Sequence, residues 1–595
     1  MIRIPLRPLA RILDAREKGE NPDAIERDNK RLRHEDMQAN SRARAEGRLL
    51  VLGAFFFIAF GVIGARMGSF ATSDPVEPRS ATLGSVISAA RADIVDRNGN
   101  LLATNFDTHA LYAQPKHMID PQRAADELVK VFPDLDHARL IKDFTGDRKF
   151  LWLKKKISPE QMQAVHEIGD PGLLFAPREM RLYPNGSLAA HVMGGASFGK
   201  EGVAAAEVIG VAGAEKYFDD YLRDPANGAT PLQLSIELTV QAASERILYG
   251  GMKLMNAKGA TSVLMDVHTG EVISVVSLPD FDPNNRPRAA TSGDQSDSPL
   301  FNRSVQGVYE LGSVFKIFTA VQAIDLGLVN SSTMIDTKGP MRVGGFNIGE
   351  FRNKNYGTLS VTDIIVKSSN RGTGRMALQI GVKRQKAFLD SMGFFDPTPF
   401  EIVEASGGQP LLPERWTDLS AVTISYGHGL SSSPMHLAAG YATIANGGRA
   451  VTPTLLKKTG PVYGPRVMSE GAAKAARMML RKVVSQGTAS FGEVEGYAVG
   501  GKTGTADKPN PSGGYFEKKV IATFVSMFPA HDPKYVLIVT LDEPVETSGD
   551  KPRRTAGWTA VPVAAEMIRR IAPLLGMRPT VEPRTLADIT LTSSN

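Results

Sequence analysis

The hydrophobic pattern divides the chain before any chemistry does. Residues 49–65 read LLVLGAFFFIAFGVIGA, with Arg48 before them and Arg66 after. A bilayer core is spanned by about 17–25 apolar residues at about 1.5 Å each, so this run predicts a single transmembrane helix over residues 49–70. A buried soluble helix usually keeps a polar stripe; this run has none. The segment before it is polar and basic, with Arg27, Lys30, Arg31, Arg33, Arg42, Arg44 and Arg48 nearest. Basic flanks stay on the cytoplasmic side. Residues 1–48 are therefore expected to form a cytoplasmic tail, with everything after the anchor outside. A signal peptide would carry a shorter charged region and a small-residue cleavage site, so the run reads as an uncleaved anchor.

Beyond a polar linker at residues 73–88, Arg91 to Ala103 predicts two short strands around an Asn98-Gly99 turn. Pro121–Phe132 and Pro159–Ile168 carry helical spacing behind starting prolines. This stretch, residues 71–233, reads as a first exported domain without metal-ligand spacing or a phosphate loop. His191 has no evident partner residues in the sequence and reads as structural. A second domain is expected over residues 234–577. Gln241–Met255 has an amphipathic pattern, and Ala260–Leu278 reads as a hairpin turning at His268-Thr269-Gly270. Tyr497–Thr505, Val520–Phe528 and Tyr535–Leu541 read as successive strands, and Trp558–Leu575 as a closing helix. Strands at both ends of a helical middle predict an α/β domain with a mostly antiparallel sheet. Residues 578–595 form a polar tail.

Composition narrows the chemistry. The 595 residues contain no Cys, which excludes disulfides, thiolate metal ligands and a Cys nucleophile. The formal charge of +6 is small for this length and scattered, a solvated surface rather than a nucleic-acid footprint. No cofactor or metal is expected.

Three short strings carry the chemistry: Ser313-Val-Phe-Lys316, Ser368-Ser369-Asn370 and Lys502-Thr503-Gly504-Thr505. Ser313 and Lys316, three apart on a helix, share a face. A serine hydroxyl needs a base, and Lys316 serves only when neutral. Burial and a second nearby cation both lower a lysine pKa, and Lys502 is the candidate cation. Ser368 is placed to relay a proton toward a leaving amine, and Asn370 to hold a substrate amide. Lys502 and the Thr503 and Thr505 hydroxyls would take a terminal carboxylate on an edge strand, to which a peptide could add as a further strand. Gly312 would allow close approach of substrate, and Gly504 would keep the strand face clear. The N–H groups of Ser313 and Thr505 are candidates for an oxyanion hole. Each string alone is commonplace.

Together, in this order, the strings resemble the signature of penicillin-binding proteins and serine β-lactamases. The resemblance to class B penicillin-binding proteins extends along nearly all of the exported part. It includes Arg91–Ala103, with Ala92 where Gly is usual, Asn302-Arg303-Ser304-Val305-Gln306, Tyr309–Ser313, Ala445-Asn446-Gly447-Gly448 and Gln486-Gly487-Thr488-Ala489. Many relatives have Pro at the position of Leu311 and Thr at that of Val314. Leu278–Asn284, Leu541-Asp542-Glu543-Pro544 and Gly557–Pro562 resemble the division-specific branch of Gram-negative type. The resemblance implies a penicillin-binding/serine transpeptidase fold, an antiparallel sheet with flanking helices, behind an N-terminal α+β pedestal. It implies D,D-transpeptidation: Ser313 attacks the D-Ala-D-Ala carbonyl of a peptidoglycan stem peptide, D-Ala leaves, and a neighbouring stem's amine captures the acyl-enzyme. β-Lactams would trap Ser313. Implied partners are an FtsW-type glycan polymerase and other divisome proteins at the inner membrane.

Other readings are the elongation-specific sister enzyme and a non-catalytic penicillin-binding scaffold or sensor. The complete set Ser313, Lys316, Ser368, Asn370 and Lys502 argues against the scaffold. A bifunctional enzyme would need a glycosyltransferase domain in Arg91–Thr230, which is short and lacks a paired-Glu box. A β-lactamase would need a deacylating Glu that the sequence does not single out.

Overall fold

The computed structural model describes residues 7–31 (except 22, 26 and 29), 52–64 (except 62) and 91–580 (except 202–205, 228–229 and 511). The chain divides into two compact units, Met1–Ile87 and Ser88–Asn595. In the first, Arg7–Glu17 is a helix, which the basic pattern did not announce, and residues 52–61 and 63–64 are helical. Among the described residues no helix is long and apolar enough to cross a membrane. Residues 49–51 and 65–70 of the expected anchor, the linker and the tail beyond 580 lie outside the described residues.

The second unit begins with the expected strand pair. Ile94–Val95 and Leu101–Ala113 run antiparallel, Ile94 opposite Ala103. The buried Asp96 carboxylate closes the turn by accepting the Asn98 and Asn100 N–H groups, both at 2.8 Å. Burial would raise its pKa, but these bonds and one from Leu238 outweigh it and hold it low. Leu101–Ala113 outgrows its expected length because it also pairs with Leu151–Ile157 and Leu173–Leu182. Both Pro-led helices are present, Pro121–Val131 and Pro159–Ile168, each with a side-chain N-cap, Asp120 and Ser158. They close a small core around Leu111, Leu128, Phe132, Phe144 and Val165.

The second half is built on a five-stranded sheet. Its strands are β1 (Gly259–Asp266), β2 (Val272–Leu278), β3 (Gly500–Pro509), β4 (Tyr515–Phe528) and β5 (Tyr535–Asp542), in spatial order β3-β4-β5-β1-β2. Every pair is antiparallel. All residues of β2, and all but the first of β5, are buried. Side chains alternate across a strand, so both faces of the sheet are covered. In chain order the helices include α1 (Leu238–Leu254), α2 (Lys316–Asp325), α3 (Val361–Lys367), α4 (Asn370–Ile380), α5 (Asp418–Ser425), α6 (Pro434–Ala445), α7 (Glu470–Gln486) and α8 (Ala560–Leu574). Of these, α1, α6, α7 and α8 pack on the sheet, and α2 to α5 pack on one another, with α2 and α3 against α7. The sheet starts from β1 and β2 early in the chain and is completed by β3 to β5 late in it. The helical middle therefore lies between its two strand groups, as expected.

The expected boundary at residue 234 is not a gap in packing. Ala92, Ile94, Leu102, Tyr183 and Leu222 belong to the same hydrophobic cluster as Val263, Leu311 and Phe524. His191 is buried here, its Nε2 3.3 Å from the Pro279 carbonyl, and burial lowers its pKa to about 4; it is structural. Next to this junction lies a buried ion network. Glu215, fully buried, accepts from Arg91 Nε at 2.8 Å and Arg181 Nε at 2.6 Å, while Arg91 also reaches Asp219 at 2.7 Å. Among the described residues, removing Glu215 would leave the buried Arg181 without a carboxylate and Arg91 with Asp219 alone, and breaking a buried pair costs about 3–5 kcal/mol. Glu215→Ala is expected to lower the melting temperature of the detergent-solubilised chain accordingly; an unchanged melting temperature would show the network to be inert.

Candidate active site

Gly312–Phe315 is a 3-10 turn that feeds directly into α2 at Lys316. Ser313 and Lys316 thus share a face through 3-10 spacing, in which i and i+3 eclipse, rather than through an α-helical turn. The turn is fixed from below. The Tyr441 hydroxyl donates to the Val314 carbonyl at 2.7 Å, and Phe315 packs edge-on against Phe318. Gly312 has φ +64, and a Cβ on it would lie 2.7 Å from the Thr505 carbonyl oxygen. A Cβ on Gly504 would lie 2.2 Å from the Leu311 carbonyl oxygen. The two glycines therefore let the nucleophile turn and strand β3 touch backbone to backbone. Gly504 thus keeps its strand face clear, as expected, with the nucleophile turn as the neighbour it admits, and Gly312, expected to admit substrate, is required by the same backbone contact.

The three strings converge. Lys316 Nζ donates to Ser368 Oγ at 3.0 Å and to the Ser368 carbonyl at 2.5 Å. Lys502 Nζ donates to the same Oγ at 3.0 Å and to the Thr503 carbonyl at 3.1 Å. Both lysines are buried, 1% and 0% exposed. Burial, and then the neighbouring Lys502 charge, drive Lys316 well below the usual lysine range, with Glu350 pulling the other way. Burial lowers Lys502 to about 7. Among the described residues the Ser313 hydroxyl, half-buried, makes no hydrogen bond.

Ser368 caps the C-terminus of α3 in the left-handed conformation, φ 61 and ψ 44, and Ser369 caps the N-terminus of α4. The Ser-Ser-Asn string is thus a junction between two helices. The hinge is held by Glu350. Its buried carboxylate accepts from Ser369 Oγ at 2.5 Å, Asn370 N at 2.8 Å and Arg371 N at 3.1 Å. Asn370 Nδ2 donates to the Gly349 carbonyl at 3.0 Å. Glu350 was not among the sequence candidates. The one signal available was its isolation, as the sole acid between Asp336 and Asp363.

Strand β3 is a sheet edge, as expected. Alternation puts Thr503 and Thr505 on the face opposite Lys502. Thr503 Oγ1 meets Thr488 Oγ1 at 2.8 Å, and Thr505 Oγ1 accepts the Ala556 N–H at 3.0 Å. Thr488 is a second residue that the site reading passed over. A cavity of about 720 Å³, lined by Pro397, Phe400, Thr398 and Thr454 among others, contains none of these residues. It lies by the β1–β2 turn, at the other end of the sheet from Thr505.

A serine with an unbonded hydroxyl, a buried lysine driven toward its neutral form and a second serine hydroxyl shared by two lysines make up a site suited to serine acyl transfer. Residues 260–566 match the penicillin binding protein transpeptidase domain and residues 86–231 the penicillin-binding protein dimerisation domain. The chain belongs to the class B penicillin-binding transpeptidase family. It is 32% identical over 575 residues to the probable peptidoglycan D,D-transpeptidase FtsI of Caulobacter vibrioides, covering 94% of each chain. It is 28% identical to the peptidoglycan D,D-transpeptidase FtsI of Escherichia coli K12, covering 77% of this chain and 80% of the relative. The crystal structure of penicillin-binding protein 3 from Mycobacterium tuberculosis complexed with aztreonam shares its fold. The TM-score is 0.62 at 24% identity, over 84% of this chain and 99% of that one.

The depressed Lys502 has a stability consequence. Its folded value of about 7 lies below the unfolded 10.5. Between these values the unfolded chain holds a proton that the folded chain has released, so stability rises with pH across the window. The penalty of burying the ammonium is fully present below it. Lys502→Met is therefore expected to stabilise the protein relative to wild type most below about pH 7, with the difference shrinking toward about pH 10. Melting curves across that range test it; a pH-independent difference would contradict a titrating Lys502.

Proposed function

We propose that this chain is a serine-type peptidoglycan D,D-transpeptidase that cross-links stem peptides through a Ser313 acyl-enzyme during septal wall synthesis. The observation that carries this reading is the convergence of Lys316 and Lys502 on Ser368 Oγ. With Lys502 retaining charge, Lys316 is the neutral amine that receives the Ser313 proton as Oγ attacks the D-Ala-D-Ala carbonyl. The N–H groups of Ser313 and Thr505, brought together by the contact at Gly312, stabilise the oxyanion. Ser368 relays the proton to the departing D-Ala amine. Asn370 holds the donor amide. The Thr503 and Thr505 hydroxyls receive the terminal carboxylate. Lys502, enclosed on the other strand face, acts on that carboxylate through its field and on Lys316 through its charge. A β-lactam enters as the donor does and leaves Ser313 acylated.

The same reading assigns residues 1–48 to a cytoplasmic tail, 49–70 to an inner-membrane anchor, 71–233 to a periplasmic pedestal, 234–577 to the catalytic domain and 578–595 to a tail. The apolar run and its basic flank support the anchor. The similarity to FtsI proteins supports a division role beside an FtsW-type polymerase and other divisome proteins.

Intact-mass analysis after fluorescent penicillin, with peptide mapping, is the direct test. One long-lived adduct on Ser313 is expected, and Ser313→Ala abolishes it. An adduct on another residue, or rapid hydrolysis, would overturn the assignment. Lys316→Ala is expected to slow acylation by at least about 100-fold, the scale of a positioned general base; a near-normal rate in stopped-flow labelling would remove Lys316 from that role.

A further inference from the structure

Beside the nucleophile turn lies a histidine–carboxylate pair that the mechanism above leaves unused. Glu310 stands three residues before Ser313 and is 9% exposed. Its carboxylate accepts the Gly429 N–H at 2.7 Å and the Tyr515 hydroxyl at 2.9 Å, and lies 3.1 Å from His428 Nδ1. Burial would raise the Glu310 pKa, but the bonds from His428, Gly429 and Tyr515 outweigh it and hold it below its usual range. An ionised carboxylate only accepts, so Nδ1 carries a proton, and in the neutral ring this tautomer leaves the lone pair on Nε2. Among the described residues Nε2 has no hydrogen-bond partner. The side chain is 33% exposed. Tyr426 and Tyr515 pack edge-on against the ring, with centroids at 5.7 and 6.3 Å. Glu310 is the charged group facing it. The loop that carries His428 is pinned to the nucleophile: the Gly312 N–H donates to the Gly427 carbonyl at 3.1 Å.

The reaction has a proton without an acceptor. An alkyl amine acceptor is an ammonium at neutral pH. It must lose one proton to become a nucleophile and a second as the amide forms. The Ser368–Lys316 relay, run backwards, returns only one proton to Ser313 Oγ. The other leaves to solvent, and a base open to solvent beside the acyl-enzyme can carry it there.

We propose that His428, oriented by Glu310, takes this first proton from the acceptor ammonium in the second half-reaction; this rests on the transpeptidase reading. Nε2 accepts the proton and releases it to water. The freed amine attacks the acyl carbon, the bond from that carbon to Ser313 Oγ breaks, and the second amine proton passes through Ser368 and Lys316 to Oγ. Protons balance, and no oxidant or further reactant enters.

The test uses the full chain in detergent, a thioester donor ending in D-alanine, and two acceptors. D-Alanine is an ammonium at neutral pH; hydroxylamine is uncharged there and needs no first deprotonation. His428→Phe keeps an aromatic ring between Tyr426 and Tyr515. It is expected to lower the share of acyl-enzyme captured by D-alanine, relative to hydrolysis, at least about tenfold, with a far smaller loss for hydroxylamine. Glu310→Gln should show the same acceptor-selective loss. Equal losses with both acceptors would mean that His428 merely holds the loop, and undiminished capture of D-alanine would mean that it is idle; either overturns the inference while leaving the transpeptidase reading standing. Failure of the wild-type protein to form any acyl-enzyme would overturn that reading and this inference with it.

Discussion

Two lysine side chains brought out of water onto one serine hydroxyl are the constraint on which the site depends. An isolated ammonium in an apolar interior is strongly disfavoured, and two side by side more so. Burial and the neighbouring Lys502 charge therefore drive Lys316 to its neutral form, while Lys502 is lowered to about 7, and a lysine that is neutral at neutral pH is a base. The fold obtains this by enclosure. Lys316 starts a helix whose next seven residues, Ile317 to Ala323, are buried, and Lys502 lies on the buried face of an edge strand. Ser368 Oγ and two backbone carbonyls satisfy the amines without supplying a counter-charge. Glu350, the nearest acid in the electrostatics of Lys316, spends its carboxylate on the start of α4 instead.

Edge position gives β3 its second use. One side of the strand is bonded to β4 along its length, and the other is left open. Gly504 and Gly312 remove the side chains that would hold the nucleophile turn away from it. A turn from the middle of the chain and a strand from its end meet within a few ångströms as a result. The same closeness brings in the Glu310–His428 pair, because the loop after α5 rests on Gly312. The chemistry of both half-reactions is thereby gathered around one short 3-10 turn.

The pedestal is joined to this machinery by a continuous core rather than by a linker. Asp96 binds the turn of the first strand pair and also the N–H of Leu238, the first residue of α1. The Arg91–Glu215–Arg181 network sits where the chain enters the fold.

Much of this was legible in the sequence because the signals are local. The Pro-led helices, the hairpin at Thr269 and the three strings with their order depend on spacing and residue type within a few positions. These determined the class of chemistry and named Ser313, Lys316, Ser368, Asn370 and Lys502. Tertiary structure alone decided what those residues do to one another. That both lysines meet on Ser368, that Glu350 braces the Ser-Ser-Asn junction and that His428 stands on a carboxylate beside the nucleophile all require contacts across tens to hundreds of residues. Burial, which sets the lysine pKa values, is a property of the whole packed core and has no local signature. Gly312 and Gly504 show the same division. Their presence is visible in the sequence, but the backbone contact that requires them exists only once the sheet has closed.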